Sequence, residues 1–553
     1  MLKNCFTRKT LEFVVVKVRV VCVCVYNALR EEGHATTGRA DDVPVPMAAA
    51  AANKRKKKAS EDEVEDEAEE EEASFRGVVK VASREKTGPS ATQQTACPYL
   101  DTIATTNLDF DFERKCSVSL SPVHVYACLV CGKYFSGRGK NTHAYKHALE
   151  NGHHMFMHLE TGATYCLPDG YEVSSDASAT LRRIRDVLKP ETYMANNSEY
   201  CVDSVESAPM WRRALDGSEF LVGVTGLNGT AHKGERDSDG ICAVLQSLSR
   251  VTPLRRRLLM ESESSESSSS SSSSIWQHLS HLTKKMWNER NFKGHSSPHE
   301  FVQAVRTRSK DAFGTGIGGD AAHFLRWLLN ELIREDKKKK KEKTKVGGGG
   351  DDIESMFQGE LEIITGDDDD DDGNDTQKQQ HQRQKFLMLH MELPHVPLFQ
   401  DARSEAQVIP QVSLERSLLK RFDASTPDPK TRRRFRITKL PDYLVISYSR
   451  FVKNNFFTEK NPTIVTFPVR GLNVADHVPV PEGEAATYDL VANIVHDGPS
   501  IEDESSSYRA MVYHAPDKNW YETQDLRVEE VLPQQVNLTE TYVQIYERRR
   551  RGQ

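Results

Sequence analysis

Apolar residues along this chain follow two periods in succession. Leu181, Ile184 and Leu188 recur at helical spacing, as do Ile241, Val244, Leu245 and Leu248. Phe324, Leu325, Leu328, Leu329 and Leu332 mark another helix with one buried face. Beyond about residue 435 the pattern becomes that of strands, at Tyr443–Tyr448, Tyr488–Val495, Tyr508–Tyr513 and Thr541–Tyr546. Helices followed by strands predict an α+β fold rather than alternating βα units. Between the periodic stretches lie segments without periodicity: residues 1–95, and insertions near 261–274, 336–352 and 366–384. A serine run, a lysine and glycine run, and Asp367–Asp372 fill these insertions. Such compositions bury too little apolar area to order themselves and belong in surface loops. The expected organisation is therefore a small folded region and helix over 96–195 and a larger region over 215–550.

Charge sharpens this division. The 553 residues carry a formal net charge of -7, but the sign is segregated. Lys54-Arg-Lys-Lys-Lys58 is a candidate nuclear localisation signal or a plain solvated charge run, and an acidic stretch follows it. Met47-Ala-Ala-Ala-Ala-Ala-Asn-Lys reads as a natural start, so residues 1–46 are expected to be an extension of the gene model. The apolar run Val14–Val25 is broken by Lys17 and Arg19 and is far short of the ~20 residues a membrane span needs. No membrane association is expected.

The cysteines suggest a metal rather than disulfides. Cys128-Leu-Val-Cys131, fifteen residues, His147, five residues and His153 give the spacing of a tetrahedral zinc site. The two thiolates come from one knuckle, with Gly132 relieving its turn. His143 with His147, at i and i+4 on a helix, is the competing histidine pair. Cys97, Cys116 and Cys166 are remnants of further ligands or ordinary buried thiols.

Two segments carry a family resemblance. Cys97-Pro-Tyr, the knuckle with Ser136-Gly-Arg138-Gly139, the His147 to His153 stretch and Cys166-Leu-Pro-Asp169 resemble the ubiquitin-type zinc finger. One zinc is expected, because Ser136, Asp169 and Tyr99 stand where the fuller finger has ligands. The resemblance implies that Arg138 takes the place of the residue that holds the ubiquitin C-terminal carboxylate. Gly139 replaces the aromatic usual beside it.

The rest resembles the ubiquitin-specific proteases, a papain-like fold of thumb, palm and fingers. Asp239-Gly-Ile-Cys242-Ala-Val-Leu-Gln246 matches the helix that opens with N-T-C in that family. Counting back from Gln246 puts Asp239 at the nucleophile. Tyr488-Asp-Leu-Val-Ala-Asn-Ile-Val-His496 precedes the place of the general base, which is Ser507. The orienting place after Trp520-Tyr521 is Gln524, with Asp525 next to it. A carboxylate, a hydroxyl and an amide cannot act as thiolate, base and orienter. Cys242 is one turn late and reads as a packing thiol; Asp237 and Asp239 read as solvated carboxylates at a helix start. Within the family, Tyr443-Leu-Val-Ile-Ser-Tyr-Ser-Arg-Phe451 and its continuation to Phe457 resemble most the inactive branch that works in splicing. That resemblance implies a non-catalytic scaffold or assembly factor associated with the spliceosomal tri-snRNP in the nucleus. An active cysteine deubiquitinase, or a ubiquitin reader acting through the finger, is the alternative. Phe451–Phe457 is either a partner surface or a loop packed on the palm, and RNA contact is left open.

Overall fold

A computed structural model describes residues 97–549, apart from 111–113, 189–210, 230–237, 261–273, 314–319, 343–351, 366–379, 395–409, 426, 429–430, 454–457, 476, 479–485, 502 and 504–505. The expectations for residues 1–95, for Asp237 and for Asn454–Phe457 lie outside the described residues. Residues 94–553 form one compact unit.

The first part is a five-stranded sheet of order β2-β1-β3-β4-β5, built from β1 (Val125–Cys128), β2 (Tyr134–Ser136), β3 (Met155–His158), β4 (Thr164–Cys166) and β5 (Tyr171–Val173). Helix α1 (His143–Asn151) crosses between β2 and β3 and ends on Gly152, whose left-handed φ of 69° suits only glycine well. Helix α2 (Ala179–Leu188) follows. It buries Leu181, Ile184 and Leu188 in the core of this sheet, so it is part of the first module rather than a free linker.

The second part begins with β6 (Trp211–Arg213), β7 (Glu219–Leu221), β8 (Gly226–Leu227), α3 (Asp239–Leu248), α4 (Thr252–Leu259), α5 (Ile275–Met286), β9 (His295–Ser296), α6 (His299–Ser309), α7 (Ala321–Glu342) and α8 (Ile353–Phe357). Strands then dominate: β10 (Gly359–Thr365), β11 (Gln380–Phe386), β12 (Leu389–Met391), β13 (Gln411–Ser413), β14 (Arg434–Lys439), β15 (Tyr443–Tyr448), β16 (Phe451–Lys453), β17 (Thr458–Lys460), β18 (Ile464–Thr466) and β19 (Leu472–Asn473). They continue as β20 (Thr487–Asp497), β21 (Ser507–His514), β22 (Asn519–Gln524), β23 (Arg527–Val531), the short helix α9 (Pro533–Val536) and β24 (Thr541–Arg548). The central sheet runs β12-β15-β24-β20-β21-β22-β23 with β19 on β20, and a smaller sheet runs β11-β10-β14.

Alternation along β15 explains the layering. Tyr443 and Val445 face one core with α3 to α8, while Leu444 and Ile446 face a second core beneath the small sheet. Because both faces are covered, all six residues of β15 are buried. Helix α3 lies across β20, β21 and β22, and every residue from Gly240 to Leu248 is buried.

Three insertion boundaries differ from those expected. The lysine run expected to start a loop near 336 is helical to Glu342, because its charges have partners. Lys337 pairs with Glu354 at 2.7 Å, Lys340 with Asp352 at 3.1 Å, and Lys339 lies 4.8 Å over the Trp276 ring. Just before the run, Glu335 accepts from the Ile275 and Trp276 amides at the start of α5, at 3.1 and 2.9 Å. The third insertion ends by Gln380, where β11 begins pairing with β10. Ser274, expected at the end of the first insertion, caps α5 by accepting from Gln277.

The two parts share a core. Leu215 and Phe292 of the second are buried among Leu108, Phe110 and Leu181 of the first. The Phe110 and Phe292 rings meet edge-on at 4.8 Å, Lys293 pairs with Asp109 at 2.8 Å, and Arg290 pairs with Asp186 at 2.8 Å. Among the described residues, no helix is long and apolar enough to cross a membrane.

Candidate functional site

The metal centre is set up by a turn. After β1 the chain reverses through Gly132, at a φ of 75°, and a Cβ there would sit 2.2 Å from the Asn107 carbonyl oxygen. This puts Cys128 and Cys131 beside α1, which supplies His147, and the residue after its Gly152 cap, His153. The four ligand atoms lie within 4.8 Å of one another: the two Sγ atoms, His147 Nε2 and His153 Nδ1. His143, the competing candidate, is not in the cluster. The hydrogen bond from Cys128 holds the Cys131 thiol down to about 4, while Cys128 itself is pushed up by the same bond and by burial. A divalent ion at this place would be held by two thiolates. Two sulfurs and two imidazole nitrogens this close together fit zinc. His147 is stacked on Phe135 at 4.2 Å, and the Asn151 amide lies 3.1 Å from its Nδ1. These contacts fix the ring that faces the metal position.

The remaining finger cysteines have other partners. Cys97 faces Met155 and accepts from the Tyr171 hydroxyl at 3.1 Å. Cys116 is buried, which pushes its thiol up, but hydrogen bonds from Ser119, Ser136 and Val118 hold it down to about 6. Arg138 does not lack a stacking partner. Its guanidinium lies 4.2 Å over Tyr165 of β4, an aromatic distant in sequence from Gly139. No local pattern around Arg138 points to this contact.

The structure brings the three protease-like positions together. Asp239 opens α3, and its Oδ1 accepts from the Gly240 amide at 2.7 Å while Oδ2 accepts from the Tyr508 amide at 2.6 Å. Gln524, at the end of β22, donates to the Ser507 hydroxyl at 3.1 Å. Asp525 carries the neighbouring turn: Leu227 donates to its carbonyl at 3.0 Å. A Cβ on Gly226 would come within 2.9 Å of the Leu526 carbonyl oxygen, so that glycine is needed for the close approach. Cys242 is buried within the helix-side core at 4% exposure.

Behind this cluster lies an aromatic box that sequence reasoning did not identify. His496 is fully buried between the Phe451 and Tyr508 rings, at 4.9 and 4.8 Å, and neither ring nitrogen has a hydrogen-bond partner among the described residues. Burial, with the Lys460 charge, pulls its pKa down to about 4. It is a neutral packing residue at neutral pH. Phe451, one end of the motif left open between surface and core, packs on His496 and on Tyr542 at 5.4 Å. Tyr542 donates to Asp320 at 2.6 Å.

With this geometry in place, comparison with known proteins is informative. Residues 241–546 match the family described as "Ubiquitin carboxyl-terminal hydrolase", and residues 116–178 match "Zn-finger in ubiquitin-hydrolases and other protein". The chain is similar to Ubiquitin carboxyl-terminal hydrolase 39 of Mus musculus, 40% identical over 481 residues, covering 82% of this chain and 80% of that protein. It is also similar to the Probable mRNA-splicing protein ubp10 of Schizosaccharomyces pombe, 34% identical over 470 residues, covering 81% and 88%. Among solved structures it resembles a crystal structure of an essential yeast splicing factor, with a TM-score of 0.63 and 26% identity, covering 82% of this chain and all of that one. A zinc finger followed by a ubiquitin-hydrolase fold is thus the architecture of residues 97–549.

Proposed function

We propose that this chain, which belongs to the ubiquitin carboxyl-terminal hydrolase family, is a non-catalytic scaffold in pre-mRNA splicing. In this reading it associates with the spliceosomal tri-snRNP in the nucleus. The observation that carries the loss of catalysis is the cluster of Asp239, Ser507 and Gln524, whose side chains and adjoining backbone are joined by hydrogen bonds. At that place a cysteine protease needs a thiol and a histidine that takes its proton. Asp239 is instead an acceptor already engaged by two backbone amides, and Ser507 has no basic nitrogen. Cys242 offers no substitute, since a buried thiol on the core face of α3 cannot reach a substrate carbonyl. The splicing assignment is supported by the names of the relatives. Zinc, held by Cys128, Cys131, His147 and His153, ties the knuckle to α1 and keeps the finger's surface in one shape.

Two experiments test this. The full chain, tagged and recovered from nuclear extract, is expected to bring small nuclear ribonucleoprotein proteins with it; their absence removes the splicing assignment. Incubation with an electrophilic ubiquitin probe is expected to leave the chain unlabelled, and labelling that disappears in Cys242→Ala would establish an active deubiquitinase instead.

A second reading is favoured by Arg138 stacked on Tyr165. The stacking uses the face of the guanidinium and leaves its N–H edge for a carboxylate, the chemistry of a free ubiquitin C-terminus. Titration with ubiquitin, with binding lost in Arg138→Ala, is the result that supports a reader function. No binding by the wild-type chain removes it.

A further inference from the structure

We propose that the solvent face of the β11-β10-β14 sheet binds the phosphodiester backbone of RNA. The pairing register builds this face in cross-strand rows. Arg383, Glu362 and Arg436 lie side by side, and the next row outward is Lys385, Glu360 and Lys439. In the opposite direction the row is His381, Ile364 and Arg434. The other face is apolar: Ile437 belongs to the second core, and Leu361 and Phe435 pack against it. Strand alternation therefore turns the Arg383 and Arg434 rows outward, and a bulge between Leu361 and Glu360 brings the exposed Lys439 opposite Glu360.

These rows hold five permanent cations, Arg383, Lys385, Arg434, Arg436 and Lys439, against two carboxylates, both on the middle strand. Glu362 faces Arg436 at 3.9 Å and His381 at 3.3 Å, and Lys385 reaches Glu354 at 3.9 Å. Arg383, Lys439 and the preceding Arg433 have no acidic partner among the described residues, and all three are exposed. Among the described residues a surplus of positive charge thus lies on the two outer strands, about 10 Å apart across the sheet, with side chains repeating about every 7 Å along each strand. The sequence carries the signal in Arg432-Arg-Arg434 and Arg436, which the protease resemblance does not use.

Charge complementarity selects a polyanion, and the face itself selects nucleic acid over an acidic protein. It has no exposed apolar anchor of the kind that forms the core of a protein interface. Phosphate recognition needs only accessible guanidinium and ammonium groups. Without an exposed aromatic ring among the rows, bases have nothing to stack on, so binding is independent of sequence and governed by salt. The choice of RNA among polyphosphates rests on the splicing reading; the phosphate chemistry does not.

The test is fluorescence anisotropy of the full, zinc-loaded chain with a labelled 20-nucleotide oligouridylate. Five phosphate contacts at a slope of about -0.7 each predict roughly a hundredfold loss of affinity between 50 and 200 mM salt. The triple variant Arg383→Gln, Arg436→Gln, Lys439→Gln removes three exposed charges and leaves two contacts. Its loss over the same range is expected to shrink to about sevenfold, with affinity at the lower salt down tenfold or more. A melting curve and a zinc assay check its fold, and the single variant Arg383→Glu on the outer strand serves if the triple variant is damaged. Wild-type affinity and slope in a folded variant would overturn the proposal. So would displacement of the RNA by polyglutamate of equal charge at equal concentration, which would make the face an acidic-protein site. Neither result bears on recovery of splicing proteins from extract, so the two readings fail separately.

Discussion

Among single residues, Asp239 acts as a structural acceptor. Its carboxylate joins the start of α3 to the Tyr508 amide on β21, 269 residues away. Replacing it by Cys would restore the family's nucleophile type but strand two backbone donors. Asp239→Cys is therefore expected to lose about 1.5–3 kcal/mol in denaturant unfolding and to stay unreactive to a ubiquitin probe, because Ser507 remains where the base belongs. His496 makes a pH-dependent prediction. Its folded pKa of about 4 lies below the ordinary value of 6.5, so the unfolded chain binds the proton more readily between these values. Stability from this group is complete above pH 6.5 and declines as pH falls toward 4. Between pH 7.5 and 5 the loss is about 2 kcal/mol, and urea titrations of His496→Phe at both pH values should lack that share. Counting from Gln246 and Trp520-Tyr521 singled out Asp239, Ser507 and Gln524, and the structure sets Gln524 on Ser507 and Asp239 on the Tyr508 amide. Tyr165 beneath Arg138 was not legible, since the contact joins residues distant in sequence with no local pattern between them.

Among the elements, the finger shows how a short segment depends on its metal. Helix α1 has only nine residues, buries only Ala144 and Ala148, and cannot hold itself on the sheet. Chelation, or Cys128→Ser, is expected to release one zinc per chain and to lower the unfolding temperature, readable by calorimetry with a zinc-sensitive dye. The spacing of cysteines and histidines made the site legible, and the structure resolves the choice between His143 and His153 that spacing left open. Periodicity also located α3, α7 and the late strands. It misplaced the lysine run of α7 because composition alone reports what a segment lacks. The partners Glu354, Asp352 and Trp276 come from elsewhere in the chain and supply order that local sequence does not.

For the whole molecule, the shared core between finger and hydrolase-like part matters most. Removing the Phe292 ring deletes its edge contact with Phe110 and opens a cavity between Leu108 and Leu215, at a cost of about 3–5 kcal/mol. Phe292→Ala is expected to separate the melting of the two parts. A single merged transition at the wild-type temperature would count against the shared core. Sequence reading divided the chain into two modules and a linker, because each carries its own family pattern and the pattern says nothing of how they dock.

That docking has a mechanical side. The Phe292 segment runs three residues on to β9, whose pairing with β8 leads to Leu227 and, through one backbone hydrogen bond, to Asp525 beside Gln524. A load applied to the finger therefore reaches Gln524 and Ser507 along main chain almost throughout. Past the Phe110 and Phe292 rings the route is backbone. Finger and hydrolase-like part are thus linked mechanically as well as by packing.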